Sequence, residues 1–201
     1  LSQRRRKDAG RCRRTVIEWG KYATATGTGV RAMYEIRPVT VRVRGKEFAR
    51  DVVQHPGSVC VLGLTTEDRV IFVRQFRPGM GRDSLELPGG RIRPGESPEE
   101  AARREMEAET GFRPRSLELI GRFFPAPGYS SEEAYCFVSD QLVPGTMSYD
   151  ESEELSVEFL SYAEALDAVR TGEIQDARSL IALMLWGEPL FGRLQPAPLG
   201  E

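Results

Sequence analysis

Histidine and cysteine are scarce in this chain, and their scarcity excludes several kinds of site. Among 201 residues there is one histidine, His55, and there are three cysteines, Cys12, Cys60 and Cys136. Zinc sites and nucleophilic enzymes of the Ser-His or Cys-His type need more of these side chains. Three widely separated cysteines do not make a disulfide framework, so we expect buried or free thiols in a reducing cytoplasm. Catalysis, if present, must depend on carboxylates and metal ions.

Long apolar runs and a large net charge are also missing. No apolar segment approaches a membrane span, and no signal-peptide hydrophobic region follows the basic N-terminus, so we expect a cytoplasmic protein without membrane contact. The formal net charge is only −2, and 40% hydrophobic content is enough for a core. Basic residues are concentrated in residues 1–14, where we expect a flexible, solvated arm rather than a nucleic-acid contact.

Residues 90–112 form the most informative segment, because they combine helix signals with regularly spaced carboxylates. Ser97 followed by Glu100 is a capping-box pattern, and a proline occupies the first helical position. Gly111 is a typical C-terminal stop. The segment therefore predicts a helix over residues 98–110.

Glu105 and Glu109 lie four residues apart on this helix and therefore share one face. Hard cations such as Mg²⁺ take oxygen ligands and keep several waters, so two carboxylates and substrate phosphates make a normal site. For the helix taken alone, the alternative is a solvated face with Glu/Arg pairs.

The wider segment reads Gly-x5-Glu-x7-Arg-Glu-apolar-x2-Glu-x-Gly-apolar, and in this it resembles the signature of the Nudix hydrolases. Ala108 is a departure, since the family usually has a glutamate there, and it leaves the number of bound metals open. The resemblance implies an α/β fold, namely an α/β/α sandwich with a mixed sheet and an N-terminal β-strand appendage.

The alternation of apolar and polar residues predicts the domain organisation. We expect a β appendage over residues 15–53, a Nudix domain over residues 54–188 and a flexible tail over residues 189–201. Strands are predicted at residues 15–22, 30–36, 39–44, 48–53, 58–64, 70–75, 83–87, 117–124, 133–138 and 155–160. Two further helices are predicted at residues 163–171 and 177–186.

Three segments resemble the ADP-ribose pyrophosphatase branch of the family. Pro127 lies sixteen residues after Gly111, and residues 50–53 and 73–81 match strands that reach the substrate. The resemblance implies that Arg50 and Arg77 contact phosphate and ribose, since a guanidinium matches phosphate oxygens bidentately. An adenine base needs an aromatic face, for which the candidates are Trp19, Tyr22, Tyr34 and Phe48.

The resemblance also implies a mechanism. Mg²⁺, with Mn²⁺ as a possible substitute, would be held by the backbone carbonyl of Gly89 and by Glu105, Glu109 and Glu153. Glu151 is the expected general base, although the spacing leaves open whether Glu151 or Glu153 has that role. Glu96 and Arg104 are expected to hold the loop against the helix without binding metal themselves.

The expected substrate is ADP-ribose, which would give AMP and ribose 5-phosphate. Two alternatives remain open: a pyrophosphatase for another nucleoside diphosphate sugar, such as UDP-glucose or GDP-mannose, and a non-catalytic domain that senses ADP-ribose. In related enzymes the N-terminal strands cross to a second subunit, so the resemblance also implies a homodimer.

Overall fold

The computed structural model describes residues 34–149 and 154–187. These residues form the strands and helices β1 (Glu35–Val43), β2 (Lys46–Gln54), β3 (Ser58–Gly63), β4 (Val70–Arg77), β5 (Arg82–Glu86), α1 (Pro98–Thr110), β6 (Phe112–Pro114), β7 (Glu118–Phe123), β8 (Ala134–Ser139), β9 (Leu142–Pro144), β10 (Leu155–Leu160), α2 (Tyr162–Thr171) and α3 (Ala177–Gly187). The predicted arm, the strand at 15–22 and the tail lie outside the described residues. No helix in the described part is long and apolar enough to cross a membrane.

Two three-stranded sheets form the centre of the fold. One has the order β3-β8-β7 and is mixed, because β3 and β8 are parallel while β7 and β8 are antiparallel. The other has the order β10-β4-β5 and is antiparallel. The predicted α/β class with a mixed sheet is confirmed.

Strand β3 is buried on both faces, and its side chains alternate between two hydrophobic clusters. Val59 and Val61 pack in the cluster that contains the apolar residues of α1. Cys60 and Leu62 pack in the cluster that contains the apolar residues of α2 and α3. Because successive side chains of a strand point to opposite faces, this pattern places helices on both sides of the sheet.

Helix α1 begins and ends where its capping signals predict. The Glu100 N–H donates to Ser97 Oγ at 3.2 Å, and the Ser97 N–H donates to Glu100 Oε2 at 2.8 Å. Gly111 closes the helix in the left-handed conformation with φ of 73°, which glycine adopts without steric penalty. The predicted span of residues 98–110 is confirmed.

The N-terminal hairpin differs from its prediction. The sequence predicts separate strands at 30–36 and 39–44, whereas β1 runs without interruption from Glu35 to Val43. Pro38 does not end the strand, because β1 pairs only with β2 and an edge strand tolerates a missing N–H donor. Two three-residue strands, β6 and β9, were also not predicted; such short pairs have no periodic signal.

Candidate active site

Glu109 is a buried carboxylate on helix α1. It is 6% exposed, and one of its oxygens accepts a hydrogen bond of 2.9 Å from the Gly89 N–H. The pKa of Glu109 is raised to about 8, chiefly by burial and in smaller part by the charge of Glu105. The Gly89 hydrogen bond and the charges of Arg77 and Arg178 act in the opposite direction. A carboxyl group in this setting is well suited to bind a cation.

Arg104 connects helix α1 to the loop that precedes it, residues 87–97, which is here called the signature loop. Its Nε and Nη2 donate to the two oxygens of Glu96 at 2.7 and 2.8 Å, and its Nη1 donates to Glu105 Oε1 at 2.6 Å. Its Nη2 also donates to the Arg91 carbonyl at 3.0 Å. The hydrogen bonds from Arg104 lower the pKa of Glu96 to about 2. Arg104 thus fixes the carboxylate of Glu105 at the start of the loop.

Arg77, at the end of β4, forms a two-pronged ion pair with Glu86 of β5. Its Nε lies 2.8 Å from Glu86 Oε1, and its Nη2 lies 2.5 Å from Oε2. Glu86 is only 2% exposed. Burial acts to raise the pKa of Glu86, but the hydrogen bonds from Arg77 and the charge of Arg178 lower it below its ordinary value. The residue predicted to bind phosphate is therefore already held in place by a buried carboxylate.

Arg178 lies on the other side of Glu86, at the start of α3. The Leu87 N–H donates to Ser179 Oγ at 2.8 Å, which fixes the beginning of α3 beside the end of β5. Arg178 Nη2 is 3.6 Å from Glu86 Oε2, and its side chain is 17% exposed. Sequence reasoning missed both Glu86 and Arg178. The sequence did contain a usable signal for Glu86, which lies between Leu85 and Leu87. A glutamate among buried apolar residues is rarely buried without a charged partner.

The other predicted substrate contacts lie on the N-terminal hairpin and on the loop between β7 and β8. The Arg50 guanidinium lies over the Phe48 ring, 5.6 Å from its centre. Pro127 is exposed in a loop that is joined to β2, since the Val53 N–H donates to the Tyr129 carbonyl at 2.8 Å. These residues do not lie on the elements that hold Glu105 and Glu109.

Of the aromatic candidates, Tyr34 and Phe48 are described. Tyr34 stacks on His55 with ring centres 5.3 Å apart, and the Arg91 guanidinium lies 5.6 Å from the Tyr34 ring centre. Since Arg91 follows the first glycines of the signature, this stack adjoins the signature loop. Trp19 and Tyr22 lie outside the described residues.

Within residues 34–149 and 154–187, no group of three or more histidine, cysteine, aspartate or glutamate side chains could together hold a metal ion. Glu105 and Glu109 supply two carboxylates there, with the Gly89 backbone beside Glu109. Glu151 and Glu153, the predicted base and further ligand, lie outside the described residues.

The chain is similar to several known proteins. The chain is 36% identical over 141 residues to an ADP-ribose pyrophosphatase of Bacillus subtilis (strain 168), covering 69% of this chain and 76% of that relative. It is 28% identical over 172 residues to an ADP-ribose pyrophosphatase of Mycobacterium tuberculosis, covering 84% and 83%. A crystal structure of an ADP compounds hydrolase matches with a TM-score of 0.69 and 26% identity, covering 82% of this chain and 90% of that one.

A family model described as the NUDIX domain matches residues 54–183, which is more than half of the chain. The matched range includes the signature loop, α1 and the two central sheets. The predicted family membership is thus confirmed, and the chain belongs to the NUDIX domain family.

Proposed function

We propose that this protein is a metal-dependent hydrolase that cleaves the diphosphate bond of ADP-ribose to give AMP and ribose 5-phosphate. The observation on which the proposal chiefly depends is the buried Glu109 beside Glu105, with Arg77 on the adjoining strand end. These side chains would supply carboxylates for a cation and a guanidinium for a phosphate. The relatives named ADP-ribose pyrophosphatase support the choice of substrate.

The described residues fit a Mg²⁺ or Mn²⁺ site. Both carboxylates are hard oxygen donors, and Glu109 has a pKa raised to about 8, so a cation would relieve an unfavourable buried charge. Glu105, Glu109 and the Gly89 carbonyl would hold the ion, and Glu153 is the proposed further ligand. When bound, the ion neutralises charge on the diphosphate.

The remaining steps are assigned to side chains of the protein. Arg77 would bind a phosphate oxygen through the part of its guanidinium that does not contact Glu86, and Arg50 would contact the phosphate or ribose. Glu151 is the proposed base that accepts a proton from the attacking water. Arg104 would keep Glu105 oriented through their 2.6 Å contact.

A substrate panel tests this proposal. We would measure hydrolysis of ADP-ribose, ADP-glucose, UDP-glucose, GDP-mannose and NADH with Mg²⁺, and we expect the highest kcat/KM for ADP-ribose. A clear preference for UDP-glucose or GDP-mannose would contradict the proposed substrate and favour the alternative sugar pyrophosphatase, because such preferences depend on small differences in pocket shape.

Gly90 offers a test of how Glu105 is positioned. A methyl group at this position would meet the Glu105 carboxylate, with the carboxyl carbon 2.6 Å away. We expect Gly90→Ala to displace that carboxylate and to reduce kcat about 10- to 100-fold, with little loss of thermal stability. Gly79→Ala is the matched control, since no atom lies within 4 Å of its added methyl group. Equal rates for the two variants would contradict the role of Glu105.

We propose a homodimer, because the β1–β2 hairpin of the single chain exposes large apolar side chains. Ile36 is 65% exposed, Val43 is 53% exposed and Phe48 is 40% exposed. Burial of such side chains against a second copy is favourable. Light scattering coupled to gel filtration should give twice the chain mass of 22.5 kDa. A mass of one chain would contradict the dimer.

A further inference from the structure

Arg178 is a largely buried cation whose hydrogen-bonding capacity is little used. Its nearest carboxylates in the described part of the chain are Glu86 at 3.6 Å and Asp176 at 4.0 Å, both longer than a hydrogen bond. Arg77, by contrast, makes two short contacts to Glu86. A guanidinium has five N–H donors, and leaving them unsatisfied in a buried site is unfavourable.

Within the part of the chain that the structure describes, the counter-charge near Arg178 is also incomplete. Glu86 is shared with Arg77, and burial raises the pKa of Asp176, which disfavours its charged form. Asp176 is further engaged at the start of α3, where its Oδ2 accepts a hydrogen bond of 3.0 Å from the Ser179 N–H. Among the described residues, Glu86 is therefore the one carboxylate that forms an ion pair with both arginines, and an additional anion would balance the cluster.

The two arginines are close enough to bind the same ligand. Arg77 Nη2 and Arg178 Nη2 lie 2.5 and 3.6 Å from the same oxygen, Glu86 Oε2, so these nitrogens are at most about 6 Å apart. The segment from Leu87 to Gly89 links this cluster to Glu109, because the Leu87 N–H donates to Ser179 Oγ, next to Arg178, and the Gly89 N–H donates to Glu109 Oε2. Adjacent phosphate groups of a diphosphate can be reached together by two groups at this spacing.

We propose that Arg178 is a second diphosphate-binding residue, which acts with Arg77 while Glu86 holds the two guanidinium groups side by side. This inference rests on the proposed function, since it concerns the diphosphate of that substrate. Arg178 would donate hydrogen bonds to a phosphate oxygen that Arg77 does not reach.

The test is a binding measurement that requires no turnover. The full chain, without metal, would be titrated calorimetrically with ADP-ribose in which a methylene group replaces the bridging oxygen of the diphosphate. We expect Arg178→Gln to weaken binding about 10- to 100-fold, the effect of losing charge-assisted hydrogen bonds. Arg178→Lys keeps the positive charge but loses the planar, two-pronged guanidinium, so we expect a smaller loss of affinity than with Arg178→Gln.

Arg74→Gln is the matched control. Arg74 is also on β4 and is also paired with glutamates, but its partners are Glu158 and Glu173. We expect native affinity from it. Native affinity in the Arg178 variants would overturn the inference while leaving the proposed function intact. If Arg178→Gln does not fold, the affinity of Arg178→Lys tests the inference in its place. If the native chain neither binds the analogue nor cleaves ADP-ribose, both proposals fall together.

Discussion

Glu109→Gln is expected to remove most of the hydrolysis and, in metal-free protein, to raise the midpoint of thermal unfolding at pH 8. Glu109 is proposed to bind the metal ion, and its loss should reduce the rate by more than about 100-fold, since changes that only misorient a ligand reach that size. The stabilising effect follows from the pKa of about 8 for this buried group. Function and stability therefore change in opposite directions.

The sign of the stability effect follows from proton binding. Between the ordinary pKa of 4.5 and the folded value of about 8, the folded chain holds a proton on Glu109 that the unfolded chain has released. The free energy of unfolding therefore falls as pH rises through this window, and the fall ends above about pH 8. With about 1.4 kcal/mol for each pKa unit, the fall is on the order of 5 kcal/mol. Glutamine does not titrate, so the free energy of unfolding of the variant should not show this fall with rising pH.

Thermal unfolding in the presence of a chelator, from pH 5 to pH 9, measures this difference. We expect Glu109→Gln to unfold roughly 8–12 °C above the native chain at pH 8 and to differ less at pH 5. Glu107→Gln is a control on the same helix, where the carboxylate contacts Arg113 at 3.7 Å. Its pH dependence should match that of the native chain. If Glu109→Gln and the native chain lose stability in parallel, the buried carboxyl is not the cause.

Glu86→Gln is expected to be the most destabilising of the charge-neutralising substitutions in the described region. Arg77 and Arg178 would lose the carboxylate that both approach, and Glu86 itself is only 2% exposed. Removing one partner of a buried ion pair costs about 3–5 kcal/mol, because the remaining charge is left uncompensated. We expect the unfolding midpoint to fall by roughly 6–12 °C.

Glu158→Gln is the matched control for Glu86→Gln. Glu158 pairs with Arg74 at 2.5 Å, but both side chains are about one-third exposed. Exposed ion pairs contribute about 1 kcal/mol or less, so we expect a small shift. Equal shifts for the two variants, measured by urea and thermal unfolding, would show that the buried Glu86 does not balance the charges of Arg77 and Arg178.

Local features of this fold could be predicted from the sequence, whereas the charged cluster could not. The ends of α1 depend on Ser97, Glu100 and Gly111, all within or next to the helix, and these local signals determine its span. The cluster joins Arg77, Glu86 and Arg178 from three elements, and their proximity follows only from tertiary packing.

Individual residues also looked different in sequence and in structure. Arg77 was predicted as a phosphate or ribose contact, and the structure adds that two of its nitrogens already pair with Glu86. Separate strands were predicted at residues 30–36 and 39–44, but the edge position of β1 allows one strand to continue through Pro38. Both differences arise because a sequence pattern does not report which partner a side chain or a strand acquires.

The most direct test of the proposed function is an assay of ADP-ribose with the native chain, with Mg²⁺ and with a chelator, followed by separation and identification of the products. We expect AMP and ribose 5-phosphate in equal amounts, and no cleavage with the chelator. Binding of ADP-ribose without cleavage in the presence of Mg²⁺ would contradict the proposal. It would then identify this NUDIX domain, in which Ala108 replaces a glutamate of the signature, as a sensor rather than an enzyme.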